Sequence, residues 1–210
     1  MTTAPTALRY LALGDSYSIG EGVSAGERWP CVLVARLRRV GVAIDAPQIV
    51  AVTGWTTDEL AQGMDAAALA PPYDLVTLQI GVNNQYRGRT LEDYRVEFAA
   101  LLARAMALAG DRPQRVVVVS IPDWGVTRFA REQGRDPAAI AAIAAALDAF
   151  NASAREQTSH AGGHFVDITA ISRHAPDELT RDGLHPSAAQ YVRWVEVILP
   201  VVDEALRTAP

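Results

Sequence analysis

Short apolar runs alternate with longer amphipathic stretches along this chain. Leu8–Leu13 is an apolar run that ends at Gly14, and Pro47–Val52 is a second that ends near Gly54. Leu75–Ile80 stops at Gly81, Arg115–Ile121 carries four consecutive valines and stops at Pro122, and Gly163–Ile168 is the fifth run. Runs this short, bounded by Gly or Pro, predict strands, and their continuous apolar character predicts burial on both faces. The stretches between them read as helices. Pro30–Val40 is amphipathic and stops at Gly41, and a helix opens at Thr56/Thr57 with Asp58 and Glu59 in its first turn. Leu91–Ala109 is alanine-rich and stops at Gly110, and Pro137–Ser159 is a second alanine-rich helix. In Ser187–Leu206 the apolar positions Tyr191, Val195, Ile198, Val202 and Leu206 recur every three or four residues, and Pro200 is expected to kink or break the helix. Only Pro122–Asp136 fits neither pattern, and an irregular stretch of that length in a compact fold is expected to be a site loop.

Five buried strands alternating with helices predict an α/β protein with a parallel sheet. Right-handed crossovers make it a three-layer α/β/α sandwich, and five strands suit the flavodoxin-like order 2-1-3-4-5. No linker, repeat or low-complexity tract divides residues 1–210, so a single domain is expected. The chain has 210 residues, half of them hydrophobic, which excludes a disordered or fibrous class. A net charge of −5 gives no global attraction to nucleic acid or an anionic membrane, and neither is expected as a partner. No uninterrupted apolar run reaches the roughly 18–20 residues of a membrane span. The lone Cys31 excludes an internal disulfide or a thiolate zinc cage, and it reads as a buried core residue. The first residues lack the charge and apolar pattern of a signal peptide, so a cytoplasmic location is expected.

In an open parallel sheet, ligands bind beyond the carboxyl ends of the strands, near the point where strand order reverses. The residues after the first three strands are Gly14-Asp15-Ser16-Tyr17, Thr53-Gly54-Trp55 and Gly81-Val82-Asn83-Asn84, and Pro122-Asp123-Trp124 follows the fourth. With order 2-1-3, topology alone gathers Ser16, Gly54 and Asn83 around one crevice. A serine nucleophile needs a histidine base within hydrogen-bond reach. Of the four histidines, His185 stands in Asp182-Gly183-Leu184-His185-Pro186. There an aspartate three residues upstream can fold back and orient the imidazole, the third role of a triad. The Ser16 and Gly54 N–H groups and the Asn83 amide are candidate donors to a developing oxyanion.

Together these segments resemble the GDSL/SGNH hydrolase family. Gly14-Asp15-Ser16-Tyr17 is similar to its first block, Gly54 to its second, Gly81-Val82-Asn83 to its third and Asp182-Gly183-Leu184-His185-Pro186 to its last. They occur in the family's order and span almost the whole chain. The resemblance implies a flavodoxin-like fold and metal- and cofactor-free hydrolysis of a small-molecule ester. It implies Ser16 as nucleophile, His185 as base, Asp182 as its partner, and Ser16, Gly54 and Asn83 as the oxyanion hole. Two positions depart from the family pattern: Tyr17 stands where Leu is common, and Asn84 where Asp is common. Both are expected to affect substrate fit.

Other residues have plainer readings beside the functional ones. Ser16 could cap the first helix, and Asp15 reads as a turn residue. His160 and His164 read as solvated loop residues, not as a metal pair. Trp55, Tyr86 and Trp124 either line a substrate pocket or cover the core, and Arg87 and Arg89 are expected to face solvent. A dinucleotide site fails because Gly14 is not followed by the required glycines, and no Gly-Lys-Ser/Thr phosphate loop exists. A flavin-binding, non-hydrolytic protein on the same fold would leave Asp182 and His185 without a role. The reading is therefore a serine esterase with a short-acyl preference, or an acyltransferase if an alcohol replaces water.

Overall fold

The computed structural model describes residues 7–207. β1 (Tyr10–Gly14) leads through the short α1 (Ser16–Ile19) to α2 (Trp29–Arg39) and then β2 (Gln48–Ala51). α3 (Thr57–Ala66), β3 (Leu75–Gln79), α4 (Val82–Tyr86) and α5 (Leu91–Leu108) follow. β4 (Val116–Val119), α6 (Arg128–Glu132), α7 (Pro137–His160), β5 (His164–Val166), α8 (Thr169–His174) and α9 (Ala188–Arg207) complete the order. The sheet is parallel throughout, in the order β2-β1-β3-β4-β5. This is the flavodoxin-like order that the alternation predicts. α2 and α9 pack together on one face, and α3, α5 and α7 pack on the other.

The apolar runs are strands because both faces of the sheet are covered. Every residue of β1, β3 and β4 is buried, whereas the edge strands β2 and β5 are covered only in part. Helix starts follow the side chains that can satisfy free N–H groups. Thr56 and Glu59 form a capping box at α3, and Thr90 and Asp136 accept N–H groups at α5 and α7.

Several details differ from the sequence reading. α9 continues across Pro200. Pro200 and Glu196 are both exposed, so the Glu196 carbonyl that loses its donor faces water. The buried stripe Tyr191, Trp194, Val195, Ile198 and Val202 anchors the helix on both sides of the proline. The segment 122–136 is not irregular: it holds a 3-10 turn, Trp124–Val126, and α6. Their caps, Asp123 and Thr127, are local signals masked by the arginine-rich sequence around them. Cys31 is half-buried, not a core residue. α7 is long and apolar enough to cross a membrane by length and composition, because its many alanines raise mean hydropathy without forming one unbroken apolar run. Here it packs against α5, with Ile143, Leu147, Phe150 and Ala154 buried.

Polar ties between the layers hold the carboxyl ends of the strands. Gln79, at the end of β3, accepts from Trp29 Nε1 at 3.0 Å and donates to the Ser120 carbonyl at 3.1 Å. Asn151 of α7 accepts from the Ile121 N–H at 2.8 Å and donates to the Ile121 carbonyl at 3.0 Å. It thereby fixes the direction in which the chain leaves β4.

Candidate active site

Four turns converge at the carboxyl end of the sheet. At the first, a Cβ on Gly14 would lie 2.6 Å from the Gln79 carbonyl oxygen, so only glycine lets β1 turn here. Asp15 caps α1 by accepting from the Tyr17 N–H at 3.0 Å, and Ser16 is the first residue of the helix. Asp15 is a turn residue, as expected, and it is buried. Burial raises its carboxyl to about 7 against the opposing bond from Tyr17.

The second turn follows β2. Gly54 has φ +90, a left-handed conformation that favours glycine, and its N–H has no acceptor among the described residues. The third follows β3, where Gly81 has φ +126 and opens α4. Asn83 donates one amide hydrogen to the Trp55 carbonyl at 2.9 Å, linking α4 to the second turn. The amide's other hydrogen is uncommitted.

The fourth turn carries Asp182 and His185. Asp182 Oδ1 accepts from Thr180 Oγ1 and the Leu184 N–H, both at 2.8 Å, and from the His185 N–H at 3.0 Å. Its Oδ2 lies 2.6 Å from His185 Nδ1. A carboxylate there accepts the Nδ1–H tautomer and leaves the Nε2 lone pair available. The turn is pinned at its ends, since the Thr180 N–H donates to the His185 carbonyl and the Phe129 N–H to the Gly183 carbonyl. Gly183 has φ +71 and faces the Arg128 guanidinium. The His185 ring is buried and meets the edge of Tyr17 at a centroid distance of 5.8 Å.

Burial alone would raise the Asp182 carboxyl, but the bonds from His185, Leu184 and Thr180 outweigh it and hold the carboxyl at about 2. A carboxyl lowered on folding stabilises the fold above its ordinary value of about 4. That contribution is lost as pH falls through the folded value. Asp182→Asn is therefore expected to lower the Tm near neutral pH, with the gap to wild type closing between about pH 4 and about pH 2. Thermal melts across that range check it, and a gap that stays constant would mean that Asp182 gains nothing from its charge.

Ser16, Gly54, Asn83 and His185 line one cleft of about 170 Å³. No hydrogen bond joins the Ser16 hydroxyl to His185 among the described residues; such contacts are often long before substrate binds. Tyr17, Tyr86 and Trp124, expected at the substrate crevice, also line the cleft. Tyr86 and Trp124 meet edge to face at 5.2 Å, and Trp124 Nε1 donates to Gln85 at 2.8 Å. Two further candidates lie elsewhere. Asn84 is fully buried, accepts from the Thr57 N–H at 3.1 Å and donates to Thr57 Oγ1 at 2.6 Å, so it braces the start of α3. Trp55 lies over Gly63 of α3, outside the cleft lining.

Sequence reading missed four lining residues, Thr53, Val82, Phe129 and Leu184. Thr53 and Val82 adjoin strand-end glycines and were accessible to the same topological argument. Phe129 reaches the cleft because α6 docks on the 182–185 turn, to which Leu184 itself belongs. The Trp124 segment is itself anchored by Asp123, a buried carboxylate 2.8 Å from Arg173 Nε. Arg87 is exposed, as expected, and Arg89 is half-buried; both also form ion pairs, Arg87 with Glu59 and Arg89 with Asp58. His160 ends α7 and His164 begins β5, so neither is a loop residue, and no cluster of metal-ligating side chains occurs among the described residues.

Comparison with known proteins bears on the fold and the family. The chain has no match among curated proteins. Its fold is similar to that of a lipase/acylhydrolase from Enterococcus faecalis, with a TM-score of 0.73 at 19% identity over 97% of this chain and 99% of that one. It is also similar to Axe2-W215I, an acetyl xylan esterase from Geobacillus stearothermophilus, with a TM-score of 0.70 at 18% identity over 93% and 94% of the two chains. A third is the esterase EstA from Pseudoalteromonas sp., inhibited by monoethylphosphonate, with a TM-score of 0.70 at 17% identity over 95% and 99%. The family model for GDSL-like lipases and acylhydrolases matches residues 12–193, from β1 into α9. The chain belongs to the GDSL-like lipase/acylhydrolase family and is a carboxylic ester hydrolase.

Proposed function

We propose that the protein hydrolyses short-acyl esters through an acyl-enzyme on Ser16. The observation that carries this reading is the convergence of Ser16 and His185 on one cleft while His185 Nδ1 is held 2.6 Å from Asp182. Ser16 Oγ attacks the ester carbonyl as His185 Nε2 takes its proton. Negative charge moves to the carbonyl oxygen, which faces the N–H groups of Ser16 and Gly54 and the free amide hydrogen of Asn83. Collapse expels the alkoxide, which receives the proton from His185. Water then repeats the sequence on the acyl-enzyme and releases the acid. Asp182 keeps the imidazole in the required tautomer and stabilises the imidazolium.

Cleft size supports the short acyl group. A volume of about 170 Å³ is below the roughly 300 Å³ at which pockets begin to hold drug-sized ligands. Trp124, Phe129 and Leu184 give it an apolar wall suited to a methyl or short alkyl group. The expected kcat/KM is highest for p-nitrophenyl acetate or propionate and falls as the acyl chain lengthens. A profile that rises toward long chains overturns the short-acyl assignment but leaves the nucleophile assignment standing.

A further inference from the structure

Resting on that reading, we infer that Arg87 is a positioning residue for the oxyanion hole: it clamps the glycine turn whose Gly54 N–H faces the cleft. Asn83 and Arg87 stand one helical turn apart, with the Arg87 N–H donating to the Asn83 carbonyl at 3.0 Å. From the two ends of α4 both side chains reach the turn after β2. Asn83 holds the Trp55 carbonyl at 2.9 Å, and Arg87 Nη2 holds the Gly54 carbonyl at 2.6 Å. Arg87 Nη1 is in turn fixed by Glu59 Oε1 at 3.0 Å. Glu59 is itself anchored, since its other oxygen accepts from the Thr56 N–H at 2.8 Å within the capping box of α3.

The turn's own closing bond, from the Trp55 N–H to the Val52 carbonyl, is long at 3.2 Å, and the clamp adds to it. Glycine is the residue with the greatest backbone freedom, and φ +90 is only one of the conformations open to Gly54. On its amino side the turn is held by Thr53 Oγ1, which donates to Glu21 at 2.5 Å. On its carboxyl side the bond from Arg87 fixes the next peptide plane. With both sides fixed, the Gly54 N–H keeps one direction. Oxyanion donors act through alignment prepared before the reaction, so a loosened turn weakens the transition state more than substrate binding. The geometry uses two donor nitrogens held apart in one plane, Nη2 for Gly54 and Nη1 for Glu59, which guanidinium supplies, whereas the three donors of an ammonium share one nitrogen.

The experiment measures kcat and KM on p-nitrophenyl acetate for wild type, Arg87→Ala, Arg87→Lys and Ser16→Ala, with and without millimolar guanidinium chloride. Arg87→Ala is expected to lose roughly ten- to a hundredfold in kcat, with KM within about twofold of wild type. Added guanidinium is expected to raise kcat of this variant and not of wild type. A merely structural role would not produce that rescue. Unchanged kcat in Arg87→Ala, or a loss that guanidinium does not recover, overturns the inference. The Arg87 side chain is 44% exposed, so little packing is lost with it. Should Arg87→Ala still fail to fold, Arg87→Lys decides: a several-fold lower kcat with an unchanged Tm supports the clamp, and wild-type kcat overturns it. An inactive Ser16→Ala beside a fully active Arg87→Ala defeats this inference alone. A Ser16→Ala that keeps wild-type turnover defeats the esterase reading and this inference with it.

Discussion

Ser16→Ala is expected to remove nearly all hydrolysis of p-nitrophenyl acetate, a loss in kcat on the order of 10⁶ if the triad acts as a unit. The same variant should fold as well as wild type. Ser16 occupies the first position of α1, its hydroxyl makes no hydrogen bond among the described residues, and the helix cap is supplied by Asp15. Alanine is also the better helix former. Activity and stability are therefore separable at this position, and kcat and Tm measured on one preparation test the claim. On the proposed roles of Ser16 and His185 as nucleophile and base, Ser16→Ala/His185→Ala should be no worse than Ser16→Ala alone. A Ser16→Ala enzyme within tenfold of wild type would require another nucleophile, and the cleft lining offers Thr53, the tyrosine hydroxyls and His185 as alternatives.

The parts of the site that sequence reading reached are those fixed by local chemistry or by strand order. Gly14, Gly54 and Gly81 end strands, and the order 2-1-3 makes the turns they open spatial neighbours. Asp182 and His185 are three residues apart, close enough for the aspartate to fold back within one turn. What sequence reading did not reach depends on packing between distant segments. Phe129 enters the cleft because α6 docks on Gly183, a contact with no periodic signature. Asn84 is a candidate for substrate fit because it stands where the family pattern often has Asp, yet a helix turns successive side chains about 100° apart. Asn83 points to the cleft side and Asn84 inward to Thr57. The same limit applies to Arg87. A surface arginine in sequence becomes a two-point tie only when α4 lies beside the turn after β2.

Asn83→Ala is expected to lower kcat by about 10²–10³, or about 2.7–4 kcal/mol of transition-state stabilisation, with a much smaller change in KM. The asymmetry follows from when the donor acts. A neutral ester carbonyl gains little from one more hydrogen bond, whereas the tetrahedral oxyanion carries a full charge in a cleft with limited water. Asn83 is suited to this because its amide is already oriented: one hydrogen is taken by the Trp55 carbonyl at 2.9 Å, which fixes the plane and leaves the other directed elsewhere. Alanine removes the donor and also releases the Trp55 carbonyl, so Asn83→Asp is the informative companion. It matches the shape and loses the donors, and it adds a negative charge beside the developing oxyanion. If Asn83 stabilises the oxyanion, Asn83→Asp should be at least as impaired in kcat as Asn83→Ala. If the residue only holds the turn, both variants should lower Tm and lose no more kcat than Arg87→Ala does. Steady-state kinetics on acetate esters beside thermal melts separate the two, since loss of a direct donor to the transition state is expected to cost more in kcat than a loosened turn does, while leaving the fold and the KM in place.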